Sequence, residues 1–223
     1  MQKKVLLAWS SGKDSAWTLY ELDKQPEFEI VGLFCTVNRK FERVAMHAVR
    51  RELLEMQAHH VGLPLHVVDI PDPCSNEEYQ ARMAVFVDSA RDMDVEAFAF
   101  GDLYLEDIRQ YREQNLKDTG IEPIFPLWEI PTTELSRKMV KNGLRAIITC
   151  VDPRKLPVAF AGREYNQSFL DELPDDVDPC GEKGEFHSFA FAGPMFRKPL
   201  DVVSGKIVQR AGFVFADLKP AAK

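Results

Sequence analysis

Residues 5–9 form a short continuous apolar run, Val-Leu-Leu-Ala-Trp, which stops at Ser10-Ser11-Gly12 and gives way to helical character from Lys13 to about Asp23. An apolar run of this kind, without polar alternation, fits a strand buried on both faces, as in a parallel sheet covered by helices. The pattern then repeats. Residues 30–36 and 65–70 are two more apolar runs, and 97–100 is a fourth, closed by Gly101-Asp102. Between them lie helical spacings: Ala45, Val49, Leu53 and Met56 over 44–60, and a Ser75/Glu78 capping box that opens a face of Tyr79, Met83, Phe86 and Ala90. A further helix is expected over 105–117. Strand and helix alternate regularly over roughly the first half, which predicts an α/β fold: a Rossmann-like parallel sheet with helices on both faces.

After Gly120 the character changes. Prolines at 123, 126, 131, 153, 157, 174, 179, 194 and 199 make this half rich in turns. A helix is expected over 133–142, stopped by Gly143, and a strand over 146–151. From Leu200 two short strands flank Ser204-Gly205 as a hairpin, a candidate edge for pairing in a homodimer. The boundary is placed at residue 122, giving a nucleotide-binding domain (1–122) and a smaller α+β domain (123–223) facing a second substrate.

The formal charge of -7 argues against a nucleic-acid binder working by bulk electrostatics. No apolar run is long enough to span a membrane. The apolar residues after Lys3-Lys4 are too few for a signal peptide. Cys35, Cys74, Cys150 and Cys180 show no metal or redox spacing, which suggests reduced thiols in the cytoplasm.

A triphosphate needs several N–H donors and positive field in a small space. A strand turning sharply into a helix supplies both, through free N–H groups and the helix dipole. Ser10, Ser11 and Ser15 add hydroxyls and Lys13 adds charge. Asp14 could hold the Mg²⁺ that travels with ATP. A capped turn with no ligand is the alternative, and Lys13 could be a solvated first-turn residue. The loop is not a Walker A sequence: Leu7 stands where that pattern has its first glycine, and Asp14 where it has Ser or Thr. Asp102, following Gly101 at a strand's carboxyl end, could bind Mg²⁺ or ribose, or cap the next helix. His47, Arg50 and Arg51 share one helical stripe, facing either an anion or solvent. Trp9, Trp17 and Trp128 read most simply as core.

Residues 10–15 resemble the PP-loop of N-type ATP pyrophosphatases, written S-G-G-x-D-S/T, with Ser11 in place of its first glycine. If Ser11 has positive φ, the substitution strains the loop. Further stretches resemble one family, the diphthine–ammonia ligases. They are Gly101-Asp102-Leu103-Tyr104-Leu105-Glu106-Asp107, Phe125-Pro126-Leu127-Trp128, Asp178-Pro179-Cys180-Gly181-Glu182-Lys183-Gly184-Glu185-Phe186-His187-Ser188, and Gly193-Pro194-Met195-Phe196. The stretch 46–54 and the run Thr149-Cys150-Val151-Asp152-Pro153 are similar to its bacterial branch, where diphthamide is not made.

The resemblance implies a HUP-type domain followed by a smaller domain on the same cleft. It implies an ATP-dependent ligase that adenylates a carboxylate and transfers ammonia, releasing AMP and pyrophosphate. The implied nucleotide set is Ser10, Ser11, Gly12, Lys13, Asp14 and Ser15 with Cys35, Thr36, Gly101 and Asp102; Asp14 and Asp102 would hold Mg²⁺. The implied catalytic set is Lys13, Glu182, Glu185 and His187, the last three as acceptors of a proton from ammonium. For His187 a structural role is the alternative, and for Cys180 a structural thiol stands against a nucleophile. The acceptor, a small molecule or a protein, is not named by the sequence. Two other functions stay open: a non-catalytic adenine-nucleotide sensor, and a PP-loop tRNA-modifying enzyme. The sensor has no need of the acidic stretch 178–188; the tRNA enzyme would want paired cysteines and a basic surface.

Overall fold

The computed structural model describes residues 2–44 and 48–221. Its first half runs β1 (Lys3–Ala8), α1 (Lys13–Leu22), β2 (Phe28–Asn38), β3 (Arg43–Val44), α2 (Arg51–Val61), β4 (Leu65–Ile70), α3 (Asn76–Asp92), β5 (Ala97–Ala99), α4 (Glu106–Leu116) and β6 (Glu122–Ile124). The second half runs α5 (Thr132–Lys141), β7 (Arg145–Val151), β8 (Glu164–Tyr165), α6 (Gln167–Asp171), β9 (Phe186–Ala192), β10 (Val202–Arg210) and β11 (Phe213–Pro220).

The first sheet pairs β4, β2, β1, β5 and β6 in parallel. Sequence order turns back between β1 and β5, which opens a crevice above the carboxyl ends of both. Strand β3 pairs antiparallel with Val37 and Asn38, beyond the end of β1. The alternation of β1 decides what each face covers. Val5 and Leu7 pack with Trp17 and Leu22 of α1 and Leu53 and Leu54 of α2. Leu6 packs with Phe34, Phe98 and Phe100 under Phe86 and Val87 of α3. Helices therefore lie on both faces, as the apolar runs predict.

The second sheet is antiparallel, with β9 on one side of β7 and β8 and β11 on the other. Its buried residues, including Ile148, Tyr165, Phe189 and Val214, join the same core as the α1/α2 face. Among the described residues no helix is long and apolar enough to cross a membrane.

Three expectations are corrected. The helix expected over 44–60 begins only at Arg51, because Val44 is committed to β3. His47 lies outside the described residues. Arg50 donates to the Asp217 carboxylate at 2.7 Å and Arg51 pairs with Glu42, Glu55 and Asp69; neither lines the large cavity. The C-terminal hairpin turns at Ala211-Gly212, both with positive φ, rather than at Ser204-Gly205. A two-residue turn needs that left-handed backbone, which Gly212 adopts freely, while Ser204 and Gly205 form an irregularity within β10. Trp9 and Trp17 are buried, but Trp128 is only half-buried, against Arg109.

Candidate active site

The crevice is a cavity of about 1080 Å³ above β1, β2 and β5. Its lining includes Ser10, Lys13, Asp14, Ser15, Cys35, Thr36, Gly101, Asp102, Glu182 and His187, from segments far apart in sequence. Ser11, Gly12 and Glu185 are not among the lining residues.

The phosphate loop is built from the end of β1. Gly12 takes the extended backbone that starts α1, and Ser15 Oγ donates back to its carbonyl at 3.0 Å. Ser11 has φ 69°, the left-handed conformation for which the usual glycine is suited. Two contacts hold it there: its carbonyl accepts from Ala190 N at 2.9 Å and from Gln57 Nε2 at 3.0 Å. Gln57 is completely buried; it also donates to Ala190 O at 2.6 Å and accepts from Trp9 Nε1 at 2.8 Å. One amide thus ties β1, the loop and β9 together. The Ser11 hydroxyl is buried with no partner among the described residues. Left-handed backbone costs a side-chain-bearing residue about 1–2 kcal/mol, and glycine returns roughly 0.5–1 kcal/mol in unfolded-chain entropy. Ser11→Gly is therefore expected to stabilise the fold by about 1 kcal/mol in urea denaturation. A lower midpoint would show that the hydroxyl contributes something this geometry does not contain.

Lys13 is buried, its ammonium 2.8 Å from the Asp14 carboxylate and hydrogen-bonded to the Cys180 carbonyl. The rings of Tyr165 and Phe186 flank it at 5.6 and 5.4 Å. Burial works against its charge, but the Asp14 carboxylate, together with Cys180 and Glu182, more than offsets this and holds the ammonium above the ordinary lysine value. Lys13 N also donates to Ser188 Oγ at 3.2 Å. At Gly101 an added Cβ would stand 2.9 Å from Thr18 Oγ1 and 3.1 Å from the Asp14 carbonyl carbon, so only glycine lets β5 meet α1 here. Asp102 does not cap α4, whose first turn follows Leu105; its carboxylate accepts from Arg112 Nε at 3.4 Å. Burial pushes the Cys35 thiol up to about 12, so it forms neutral cavity wall.

The acidic stretch folds around Asp178. Its carboxylate accepts from Cys180 N at 2.8 Å, Thr132 Oγ1 at 2.8 Å and Tyr104 Oη at 3.2 Å, with Glu182 N at 3.4 Å. Gly181, at φ 70°, lets the chain turn back over Phe186, whose carbonyl leaves no room for a Cβ. Glu182 is thereby aimed into the cavity, where Oε1 accepts from Leu103 N at 2.8 Å. Burial, reinforced by the Asp14 charge and opposed by that N–H, raises its carboxyl to about 7. Glu185 points away: Oε1 accepts from Asp178 N at 3.3 Å and Oε2 is buried without a partner among the described residues. His187 lines the cavity on β9, but burial and then the Lys13 charge lower its imidazole to about 4. It is neutral at physiological pH and a weak base. The Cys180 thiol is buried and pushed well up, against a nucleophilic role.

The sequence expectations missed Gln57, Asp178, Tyr165 and Ser188. Gln57 had a readable signal, a polar residue one turn after Leu53 on the buried face of α2. Asp178 and Ser188 stood at the two ends of the acidic stretch without roles assigned to them, and Tyr165 had no signal at short range.

Two family models match this chain. The diphthamide synthase N-terminal domain matches residues 3–123, and the diphthamide synthase C-terminal domain matches 131–223. A diphthine–ammonia ligase of Bos taurus is 25% identical over 240 residues, covering 96% of this chain and 88% of that protein. The Homo sapiens protein of the same name is 24% identical with the same coverage. That of Mus musculus is 30% identical over 118 residues, 50% of this chain and 44% of the relative.

Proposed function

The chain belongs to the diphthamide synthase family, and from that premise we propose that it is an ATP-dependent ligase making an amide from a carboxylate and ammonia. The relatives named diphthine–ammonia ligase support the reaction class. The observation that carries the reading is the closure of the phosphate loop by the acidic stretch. Lys13 bonds Cys180 and Ser188, and Glu182 stands in the same cavity with a carboxyl near neutrality.

In this reading the triphosphate lies over Ser10, Gly12, Lys13 and Ser15 at the start of α1, and the base lies by Cys35 and Thr36 at the end of β2. The acceptor carboxylate attacks the α-phosphorus, forming an acyl–phosphate bond as the bond to the β-phosphate oxygen breaks. Lys13 and the free N–H groups of the first turn take up charge on the departing pyrophosphate. Asp14 and Asp102, both on the cavity, are the hard oxygen donors that suit Mg²⁺, which when bound would neutralise phosphate charge. Ammonium then gives a proton to Glu182, ammonia attacks the acyl carbon, and AMP leaves. A carboxyl near 7 suits this task better than the imidazole of His187, which would instead shape the cavity as a neutral polar wall. The segment from residue 123 onward contributes Glu182 and His187 to the same cleft, and the four free cysteines fit a reducing cytoplasm.

The test is incubation with Mg²⁺, ammonium and α-labelled ATP, with and without a small-molecule extract of the source cells. Extract-dependent AMP and pyrophosphate are expected. ADP as the product would overturn the mechanism, and ATP binding without turnover would favour a nucleotide sensor.

A further inference from the structure

The cavity has more room than one small ligand usually fills, about 300–1,000 Å³, and its lining divides in two. One part is the polar arc of the phosphate loop and the acidic stretch. The other is an apolar arm floored by Phe34, Phe98 and Phe100, with Met83 and Val87 of α3 on one side and Ile108 and Tyr111 of α4 on the other. Among the described residues, three lysine or arginine side chains line the cavity. Lys13 is committed to Asp14 and Cys180. Arg91 is exposed and pairs with Asp88. Arg112 stands near Asp102, with its guanidinium 4.8 Å over the Phe100 ring. Its bond to Asp102, at 3.4 Å, is long for a charge-assisted pair, for which about 2.7–2.9 Å is usual, and its other partner is the neutral phenol of Tyr79, which lines the same cavity. A planar fork packed on an aromatic ring, with one long carboxylate contact and a neutral phenol beside it, is suited to donate two parallel hydrogen bonds to a ligand carboxylate.

Resting on the ligase reading, we propose that the α3/α4 arm is the acceptor subsite, that it takes a carboxylic acid with an apolar body, and that Arg112 fixes the acid's carboxylate beside the phosphate loop. The apolar body lies on the phenylalanine floor. The carboxylate displaces Asp102 from the guanidinium, which leaves Asp102 available to the nucleotide side. Selection is for charge at one end and hydrocarbon at the other, so acetate lacks the body and an amide lacks the charge.

The test uses 3-phenylpropionate, 3-phenylpropanamide and acetate as probes, titrated by calorimetry into the full chain saturated with Mg²⁺ and α,β-methylene-ATP, which resists α–β cleavage. In the wild type, 3-phenylpropionate is expected to bind at least about tenfold tighter than either of the others. In Arg112→Gln the preference for acid over amide should vanish, with nucleotide-analogue affinity held within about twofold. Reading the preference as a ratio within each variant makes it insensitive to small changes in folding. Absence of the preference in the wild type, or its survival in Arg112→Gln, overturns the proposal. So does a loss of nucleotide affinity of about tenfold or more in Arg112→Gln, which would assign the arm to the nucleotide. Failure of the underlying ligase reading shows itself separately, in the α-labelled ATP assay, as ADP or as no turnover, whatever the acid-to-amide ratio.

Discussion

Glu182→Gln is expected to lower amide formation by about 10²–10⁴-fold while leaving ATP binding within a small factor. The amide oxygen still accepts from Leu103 N, so the turn of the acidic stretch is kept and only the ionisable group is lost. The pH profile separates this from a structural role. The base acts when ionised, so the wild-type rate should rise with pH through about 7 and level above it. The Gln variant should lack that limb. Stability should move the other way. A carboxyl raised by burial favours the folded state when protonated, and that contribution is lost as pH rises through about 7. Near pH ~8 the variant should therefore be more stable than the wild type, by on the order of 1–3 kcal/mol. The test is kcat against pH alongside urea denaturation at two pH values. A variant that turns over normally, or whose acid limb is unchanged, would remove Glu182 from the mechanism.

Lys13→Met should be the more damaging change, because it removes charge from the loop and from the fold together. The ammonium satisfies the Asp14 carboxylate and the Cys180 carbonyl, and methionine satisfies neither. Breaking a buried pair by removing one partner costs about 3–5 kcal/mol; with Asp14 partly exposed, the expectation is nearer about 2–3 kcal/mol. The loss should be larger at about pH 8 than at about pH 5, since protonation relieves an unpaired carboxylate. AMP formation should fall by about 10²–10³-fold, the cost typical of losing one preorganised group that stabilises developing charge. Denaturation at both pH values, with an ATP-binding isotherm at the lower one, measures the two effects apart. Stability unchanged at both pH values would mean that the ammonium is not where the geometry puts it.

How much of this was legible in the sequence depended on range. The short apolar runs located β1, β2, β4 and β5, because a strand buried on both faces has few options but continuous hydrocarbon. The capping box at Ser75 located the start of α3, where Ser75 Oγ accepts from Glu78 N. Strand β9 was also readable, as an aromatic and small-residue run between Gly184 and Gly193, but the reading of that stretch as a chemical motif obscured it. The phosphate loop was legible because its chemistry is local: small residues, a lysine and a carboxylate at a strand-to-helix turn.

Tertiary structure alone decided the division of labour among the acidic residues. Glu182 and Glu185 are three positions apart and chemically alike, yet the left-handed turn at Gly181 and the Asp178 cap send one into the cavity and the other into the protein. Burial likewise set Glu182 near neutrality and took His187 out of that range, because the cost of a buried charge depends on what surrounds it in space. The sequence by itself determined the strands' raw material and the strand-to-helix turn at residues 10–15, through periodicity and local backbone chemistry. Which side chains meet at that turn followed from packing across some 170 residues of chain, as when Lys13 reaches Cys180 and Ser188.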